Sequence, residues 1–197
     1  MAESPKHLLF KDAAAWRAWL ETHHATAKEA LVLLAKGKTA GLKKPQALDE
    51  ALIFGWIDGV ARPVDDEWWM QRFTPRKPRS RWSRVNVDKV GQLIAAGRMH
   101  AAGLAQVAAA KADGRWAAAY EPPSTIQPIP ELAAALAANP KAADAFAALD
   151  SANRYAILHR TSAPKTPEAR ARKVDGFIAM LERGEIIHPP RARKKAP

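Results

Sequence analysis

Tryptophan and arginine side chains are concentrated between residues 55 and 86, a segment that holds four of the seven tryptophans. Within it, the stretch 72–84 carries six basic residues and no acidic one. Arginine forms paired hydrogen bonds with phosphate and carboxylate groups, and indole rings stack on bases and cations. The pattern therefore predicts a surface that binds an anion. The predicted ligand-binding residues are Trp56, Asp58, Trp69, Arg72, Thr74, Arg76, Ser80, Arg81, Trp82 and Asn86.

The same segment has a plainer interpretation, in which the tryptophans belong to the core and the arginines to a solvated loop. The acidic residues in and near this segment could have more than one role. Asp58 could orient an arginine such as Arg72, which is the commoner role, or it could act as a base. The other acidic groups near the segment are Glu50, Asp65 and Asp66. No catalytic residue follows from the pattern alone.

Several other kinds of chemistry are excluded by residue type or spacing. The chain has no cysteine, which rules out disulfides and thiolate nucleophiles. Its six histidines show none of the spacings typical of metal ligands. The run Gly37-Lys38-Thr39 ends like a phosphate-binding loop, but Val32 stands where the first glycine would be needed. The sequence thus predicts neither a metal site nor a cofactor.

The formal net charge of +11 comes almost entirely from two short segments. One is the stretch 72–84, and the other is the tail 188–197, which holds four basic residues and no acid. Such segments attract anions through a field that salt weakens. The first six residues lack the apolar core of a signal peptide, and no apolar run reaches the length of a membrane span. We therefore expect a cytoplasmic protein with no membrane span.

Hydrophobic periodicity predicts an α+β fold, with a small, mainly antiparallel sheet packed with helices and an all-helical C-terminal unit after it. Residues 31–35, 56–62 and 68–74 have the composition of strands. The last two should form an antiparallel hairpin, because the acidic, proline-containing stretch 63–67 between them is typical of a turn.

Helix boundaries follow from capping residues. Asp12 is placed to cap a first helix, Asn86 a later one and Ser151 one of the C-terminal helices. The predicted division of the chain is an α+β domain at 1–120 with the Trp/Arg-rich segment, a linker at 121–129, a helical unit at 130–187 and a disordered basic tail at 188–197.

Several strings in this sequence are specific enough to suggest a family. They are FGWIDG at 54–59, QRFTPRKP at 71–78, Pro130-Glu131-Leu132, Asn139-Pro140 and PEARARK at 167–173. Together they resemble the YdeI/OmpD-associated, or bacteriocin-protection, family. The resemblance implies a role in tolerance to antimicrobial peptides or in association with an outer-membrane porin, and it brings no catalytic residue with it.

These observations favour a non-enzymatic stress-tolerance protein that binds an anionic partner, such as nucleic acid, a nucleotide or another phosphorylated molecule. One alternative is an enzyme for a phosphorylated or carboxylated small molecule, with Asp58 as base and Arg72 or Arg76 as the anion clamp. Another is an adaptor whose C-terminal helices bind a protein partner. Antimicrobial peptides are usually cationic, so a protein at +11 would repel them and any protection would be indirect.

Overall fold

The computed structural model of the chain describes residues 7–189. The chain divides into two compact units, one ending at Tyr120 and the other beginning at Glu121. From residue 190 onward, the predicted disordered tail lies outside the described residues.

The N-terminal unit contains a four-stranded sheet. Its strands are β1 (Leu8–Leu9), β2 (Ala30–Ala35), β3 (Trp56–Pro63) and β4 (Trp68–Pro75), in the order β1-β2-β4-β3. Strand β1 is parallel to β2, and the other neighbouring pairs are antiparallel. The predicted hairpin is therefore confirmed, and so is the α+β class with its mainly antiparallel sheet. Among the strands of residues 7–189, sequence periodicity missed the two-residue strand β1, which is too short to show any alternation.

In the part of this unit that the structure describes there are also four helices: α1 (Ala13–His23), α2 (Lys44–Ile53), α3 (Arg84–Ala95) and α4 (Ala101–Ala112). They enclose one core with the sheet, in which Trp16 and Phe73 have ring centroids 5.6 Å apart. On β4, Gln71 and Phe73 are buried while Arg72 is exposed, because successive strand residues point to opposite faces. The core thus lies against one face of the sheet, and Arg72 emerges on the other.

Two of the three predicted helix caps are displaced. The Asp12 side chain accepts from the Ala15 amide and caps α1 as expected. Helix α3 is instead capped by Ser83, whose Oγ accepts from the Asn86 amide at 3.2 Å, so that Asn86 lies inside the first turn. In the C-terminal unit, Asp150 rather than Ser151 caps its helix. In both cases a capping-competent residue stands a few positions upstream, and local sequence alone cannot rank two such candidates.

The C-terminal unit is all helical within the described residues, as predicted. It consists of α5 (Pro130–Ala137), α6 (Pro140–Ala148), α7 (Ser151–Ser162) and α8 (Pro167–Glu182). They surround a separate core that includes Leu132, Ile157, Val174, Phe177 and Leu181. Ile126 and Ile129, from the stretch predicted to be a linker, also pack against this core. No helix among residues 7–189 is both long and apolar enough to cross a membrane.

Candidate anion-binding site

The end of the hairpin fixes the backbone of Arg76. The last pair of the β3–β4 ladder joins Trp56 to Pro75, and the Arg76 amide then donates to the Gly55 carbonyl at 3.0 Å. Gly55 has a φ of 75° between α2 and β3. A side chain there would also approach the Ala102 carbonyl oxygen to 3.0 Å. Glycine is therefore needed both for the turn and for the close packing behind Arg76.

The side chain of Arg76 is buried, with 4% of its surface exposed. Its guanidinium carbon lies 3.5 Å from the centroid of the Trp82 ring, which is a stacking distance. Nη1 donates to the Arg81 carbonyl at 3.2 Å. Within the described residues, Nε and Nη2 are buried and have no hydrogen-bond partner, and the same is true of the Trp82 Nε1. Three buried donors at one point are exceptional, because buried polar groups are normally satisfied.

Burial lowers the pKa of Arg76 to about 10, well below its ordinary value, because the charged guanidinium is removed from water. Tyr120 and Asp58 act in the opposite direction and favour the charged form, while Arg115 adds to the lowering. Arg76 is thus a cation at neutral pH. Its burial is only partly compensated by the surrounding protein.

A distant stretch of chain supports the indole of Trp82. The rings of Trp82 and Trp116 meet edge to face at 4.9 Å. The Tyr120 amide donates to the Trp82 carbonyl at 3.0 Å, and the Arg84 amide donates to the Tyr120 carbonyl at 2.8 Å. Arg115 Nη1 donates to the Ser80 carbonyl at 3.0 Å. The loop that carries Trp82 is therefore held in place by the segment that follows α4.

Comparison with family models divides the chain in the same way as its fold. The model described as Domain of unknown function (DUF8412) matches residues 8–106, half of the chain. The chain belongs to this domain family. A second model, described as Bacteriocin-protection, YdeI or OmpD-Associated, matches residues 128–184.

The second match confirms the predicted family resemblance, and it does so over the helices of the C-terminal unit. The strings at 54–59 and 71–78, which also suggested that family, lie in the DUF8412 region. Comparison with curated proteins and with solved structures finds no match.

Within the DUF8412 region, the structure brings together part of the predicted set. Arg76 and Trp82 are in contact, the Arg81 carbonyl accepts from Arg76, and Asp58 influences the same guanidinium electrostatically. Ser80 lies in the same loop, where its Oγ accepts from the Lys77 amide at 3.0 Å.

The remaining predicted residues lie elsewhere. Trp56 is a core residue whose Nε1 donates to the His24 carbonyl at 3.1 Å, and Asn86 is buried at the start of α3. Thr74 is half-buried opposite Ile57 in the hairpin. Trp69 is 43% exposed, with the Lys36 ammonium 4.8 Å from its ring centroid.

Arg72 lies apart from Arg76 as well. Its Nε forms an ion pair with Glu29 at 2.6 Å, whereas Asp58 was the carboxylate considered for this role. The residues that sequence reasoning missed are Glu29, Arg115, Trp116 and Tyr120. The signal that could have drawn attention to two of them is the presence of large aromatic residues in a short non-helical stretch, Trp116 and Tyr120, just after an Ala-rich helix.

Two of the histidines, His23 and His24, contact the backbone of α1. The ring Nδ1 of His23 is 2.8 Å from the Trp19 carbonyl and that of His24 is 2.9 Å from the Leu20 carbonyl, which directs both rings along α1. Among residues 7–189, no cluster of three or more histidine or acidic side chains has the arrangement of a metal site.

Proposed function

We propose that this chain is a non-enzymatic protection protein whose N-terminal unit binds a small anion at Arg76 and Trp82. The observation that carries the proposal is the buried guanidinium of Arg76, with two nitrogens that have no partner in the described structure. A buried charge without a partner is costly, and an anion at this point would supply the missing acceptor.

The chemistry of the two side chains defines the ligand class. Nε and Nη2 lie on the same edge of a guanidinium, and that edge binds a carboxylate or phosphate with two parallel hydrogen bonds. Each charge-assisted hydrogen bond contributes roughly 1.5–3 kcal/mol. Stacking on Trp82 holds the guanidinium plane in place before the ligand arrives, which reduces the ordering cost of binding.

Burial favours a small ligand over nucleic acid. A groove that follows a nucleic-acid backbone presents exposed cations and aromatic faces, whereas Arg76 and Trp82 are both buried. Entry of an anion therefore requires a local opening around Arg76. The exposed cations of Lys77 and Arg79 stand next to it in the chain and attract the ligand over a longer range.

The description of the family matched by the C-terminal unit names bacteriocin protection, and we propose this broad role for the whole chain. At a net charge of +11 the protein repels cationic peptides, so it would protect indirectly, through the anion that it binds. The helices of the C-terminal unit are then the part available to a protein partner.

Titration with inorganic phosphate, a panel of nucleotides and a short single-stranded oligonucleotide tests the proposal, with tryptophan fluorescence as the readout. We expect a mononucleotide or phosphate to bind and to perturb Trp82, which a Trp82→Phe variant identifies. Arg76→Met should weaken binding about tenfold or more, since it removes both free donors.

Arg79→Met is the matched control, because it removes one exposed positive charge from the same loop. It should change affinity by less than about threefold at moderate salt. The proposal is wrong if no anion binds even at low salt, or if Arg76→Met and Arg79→Met have the same affinity. A preference for the oligonucleotide that survives Arg76→Met would contradict the choice of a small ligand.

A further inference from the structure

The sheet face opposite the core carries a second feature that the Arg76 site does not include. It is an open depression of about 500 Å³, within the range of small-molecule sites. Its lining is mostly apolar and includes Leu31, Val60, Val64 and Met70. Arg62 and Arg72 also line it, as does Glu29. Neither Arg76 nor Trp82 belongs to this depression.

Strand register places the two arginines on the same face. Arg62 of β3 is paired with Met70 of β4, and Arg72 of β4 is paired with Leu31 of β2. Met70 and Arg72 are two residues apart on β4 and therefore point the same way. Arg62 and Arg72 are consequently diagonal neighbours on adjacent strands, a separation that long side chains can bridge through a shared anion.

The charges in the depression are unbalanced. Arg72 is neutralised by Glu29, with Nε and Oε2 at 2.6 Å. Arg62 is exposed and makes no hydrogen bond or ion pair that the structure shows within residues 7–189. His7 also lines the depression and is counted as neutral at pH 7, so two arginines and one carboxylate leave one positive charge above an apolar floor. This balance suits a ligand with a single negative charge and an apolar body.

We infer that this depression binds a small amphipathic carboxylate, such as a medium-chain alkanoate. The alkyl chain lies on Leu31, Val60 and Met70, and the carboxylate lies between Arg62 and Arg72. A monoanion matches the single excess charge better than a phosphate monoester does, since a dianion would leave a negative charge over apolar side chains. The inference does not depend on the Arg76 site.

The shape of the neighbouring edge argues against a peptide as the occupant. Strand β3 is at the edge of the sheet, where a peptide would add as a further strand. It is interrupted by a bulge between Asp58 and Ala61 and ends at Pro63, which has no amide donor. Both features block continuous strand pairing. The depression is therefore suited to a small molecule.

Carbon-13 NMR of methionine methyl groups tests this inference at one defined place. Residues 7–189 include three of the chain's four methionines, and of these three Met70 lines the depression, with its signal assigned by Met70→Leu. Decanoate, kept below its micelle concentration, should shift the Met70 signal in a saturable way and leave Met99 and Met180 unchanged. Acetate and decanol should each bind at least about tenfold more weakly than decanoate, because acetate lacks the long alkyl chain and decanol lacks the carboxylate.

Three variants of the intact chain sharpen the test. Arg62→Gln should weaken decanoate binding about tenfold, since it removes the unpaired cation. Glu29→Gln should strengthen binding several-fold, because it releases Arg72 from its competing carboxylate. Arg79→Gln removes the same charge from outside the depression and should have little effect.

Three results would overturn the inference: no saturable shift of Met70, equal binding by decanol and decanoate, or equal affinity of Arg62→Gln and Arg79→Gln. Loss of decanoate binding in Arg76→Met would also overturn it, by assigning the ligand to the other site. The two proposals can fail independently. Decanoate binding in the depression without anion binding at Arg76 would contradict only the proposed function, and anion binding at Arg76 without decanoate binding would contradict only this inference.

Discussion

Two buried charged side chains in the N-terminal unit, Glu50 and Arg76, differ in how completely they are paired. Glu50 is 5% exposed, and both of its oxygens are paired, Oε2 with Arg17 Nη1 at 3.2 Å and Oε1 with Arg98 Nη2 at 2.7 Å. Arg76 is equally buried, and within residues 7–189 it has one hydrogen bond and two nitrogens without a partner. Glu50 is complete without a ligand, because it joins α1, α2 and the turn after α3. Arg76 is incompletely paired, and this difference from Glu50 is the basis of the proposed anion site.

The largest effect is expected at Glu50. Glu50→Ala should lower the free energy of unfolding by about 2–3 kcal/mol, since it removes two charge-assisted bonds and their shared anchor. Urea denaturation measures the change. Glu21→Ala is the matched control: it removes the exposed partner of the same Arg17 and should cost less than about 0.5 kcal/mol. Equal losses in the two variants would show that Glu50 is no more structural than a surface charge.

Arg76 should respond in the opposite direction. Arg76→Met keeps much of the side-chain volume over Trp82 and removes an incompletely paired buried charge. We expect the free energy of unfolding to rise by about 1–2 kcal/mol, as when buried ionic groups are replaced by apolar ones. Thermal and urea denaturation measure it, with Arg79→Met expected to stay within about 0.5 kcal/mol of the wild type. A loss of more than about 2 kcal/mol would assign Arg76 to the framework of the fold.

The stability gained by Arg76→Met should depend on pH, because the pKa of Arg76 is lowered in the folded protein. Arg76 has a pKa of about 10 in the folded protein, well below its ordinary value in the unfolded chain. Above about pH 10 the unfolded state therefore binds more protons, and stability rises with pH through this group. The penalty for burying the charged guanidinium is fully present below about pH 10 and is relieved as the pH rises above that value. The advantage of Arg76→Met over the wild type should shrink by roughly 1 kcal/mol between about pH 8 and about pH 10.5.

Comparing each variant with the wild type at the same pH cancels the titration of lysines and tyrosines elsewhere in the chain. The difference in the free energy of unfolding between Arg79→Met and the wild type should stay constant over this pH range. A constant difference between Arg76→Met and the wild type across this range would contradict the lowered pKa.

The smallest effect is expected at Arg72, four residues before Arg76. Its ion pair with Glu29 is nearly half exposed, so Arg72→Gln should cost less than about 1 kcal/mol, and salt should reduce that cost further. A double-mutant cycle with Glu29→Gln measures the coupling by urea denaturation. A coupling above about 2 kcal/mol would show that this exposed ion pair contributes as much to stability as the buried charged groups do.

Much of the fold could be predicted because its signals are local. Asp12 caps α1, the stretch 63–67 turns the hairpin, and the 3-4-3 spacing of Ala171, Val174, Ile178 and Leu181 marks α8. Each signal depends on residues that are close in the chain. The caps at Ser83 and Asp150 were missed because a second residue, three positions away in one case and one in the other, could have capped the same helix.

The candidate site was predictable in composition and not in geometry. The density of arginine and tryptophan between residues 55 and 86 indicated where to look, and Arg76 and Trp82 do lie in contact. Trp56, however, belongs to the core, and Arg72 belongs to the opposite face of the sheet. Residue type does not distinguish a core tryptophan from a stacking platform, because both are large, apolar and often buried.

The sequence by itself determined the helices, the three longer strands, their order and the excess of positive charge near the hairpin, since these depend on residue type and short spacing. Only the tertiary structure decided which arginine is buried. Arg72 still lies in the β4 ladder, whose alternation directs it to the outer face, whereas Arg76 follows the last pair and turns onto Trp82. That ring is held by Trp116 and Tyr120 from beyond α4. Burial of a charge depends on such distant contacts, and no local pattern encodes them.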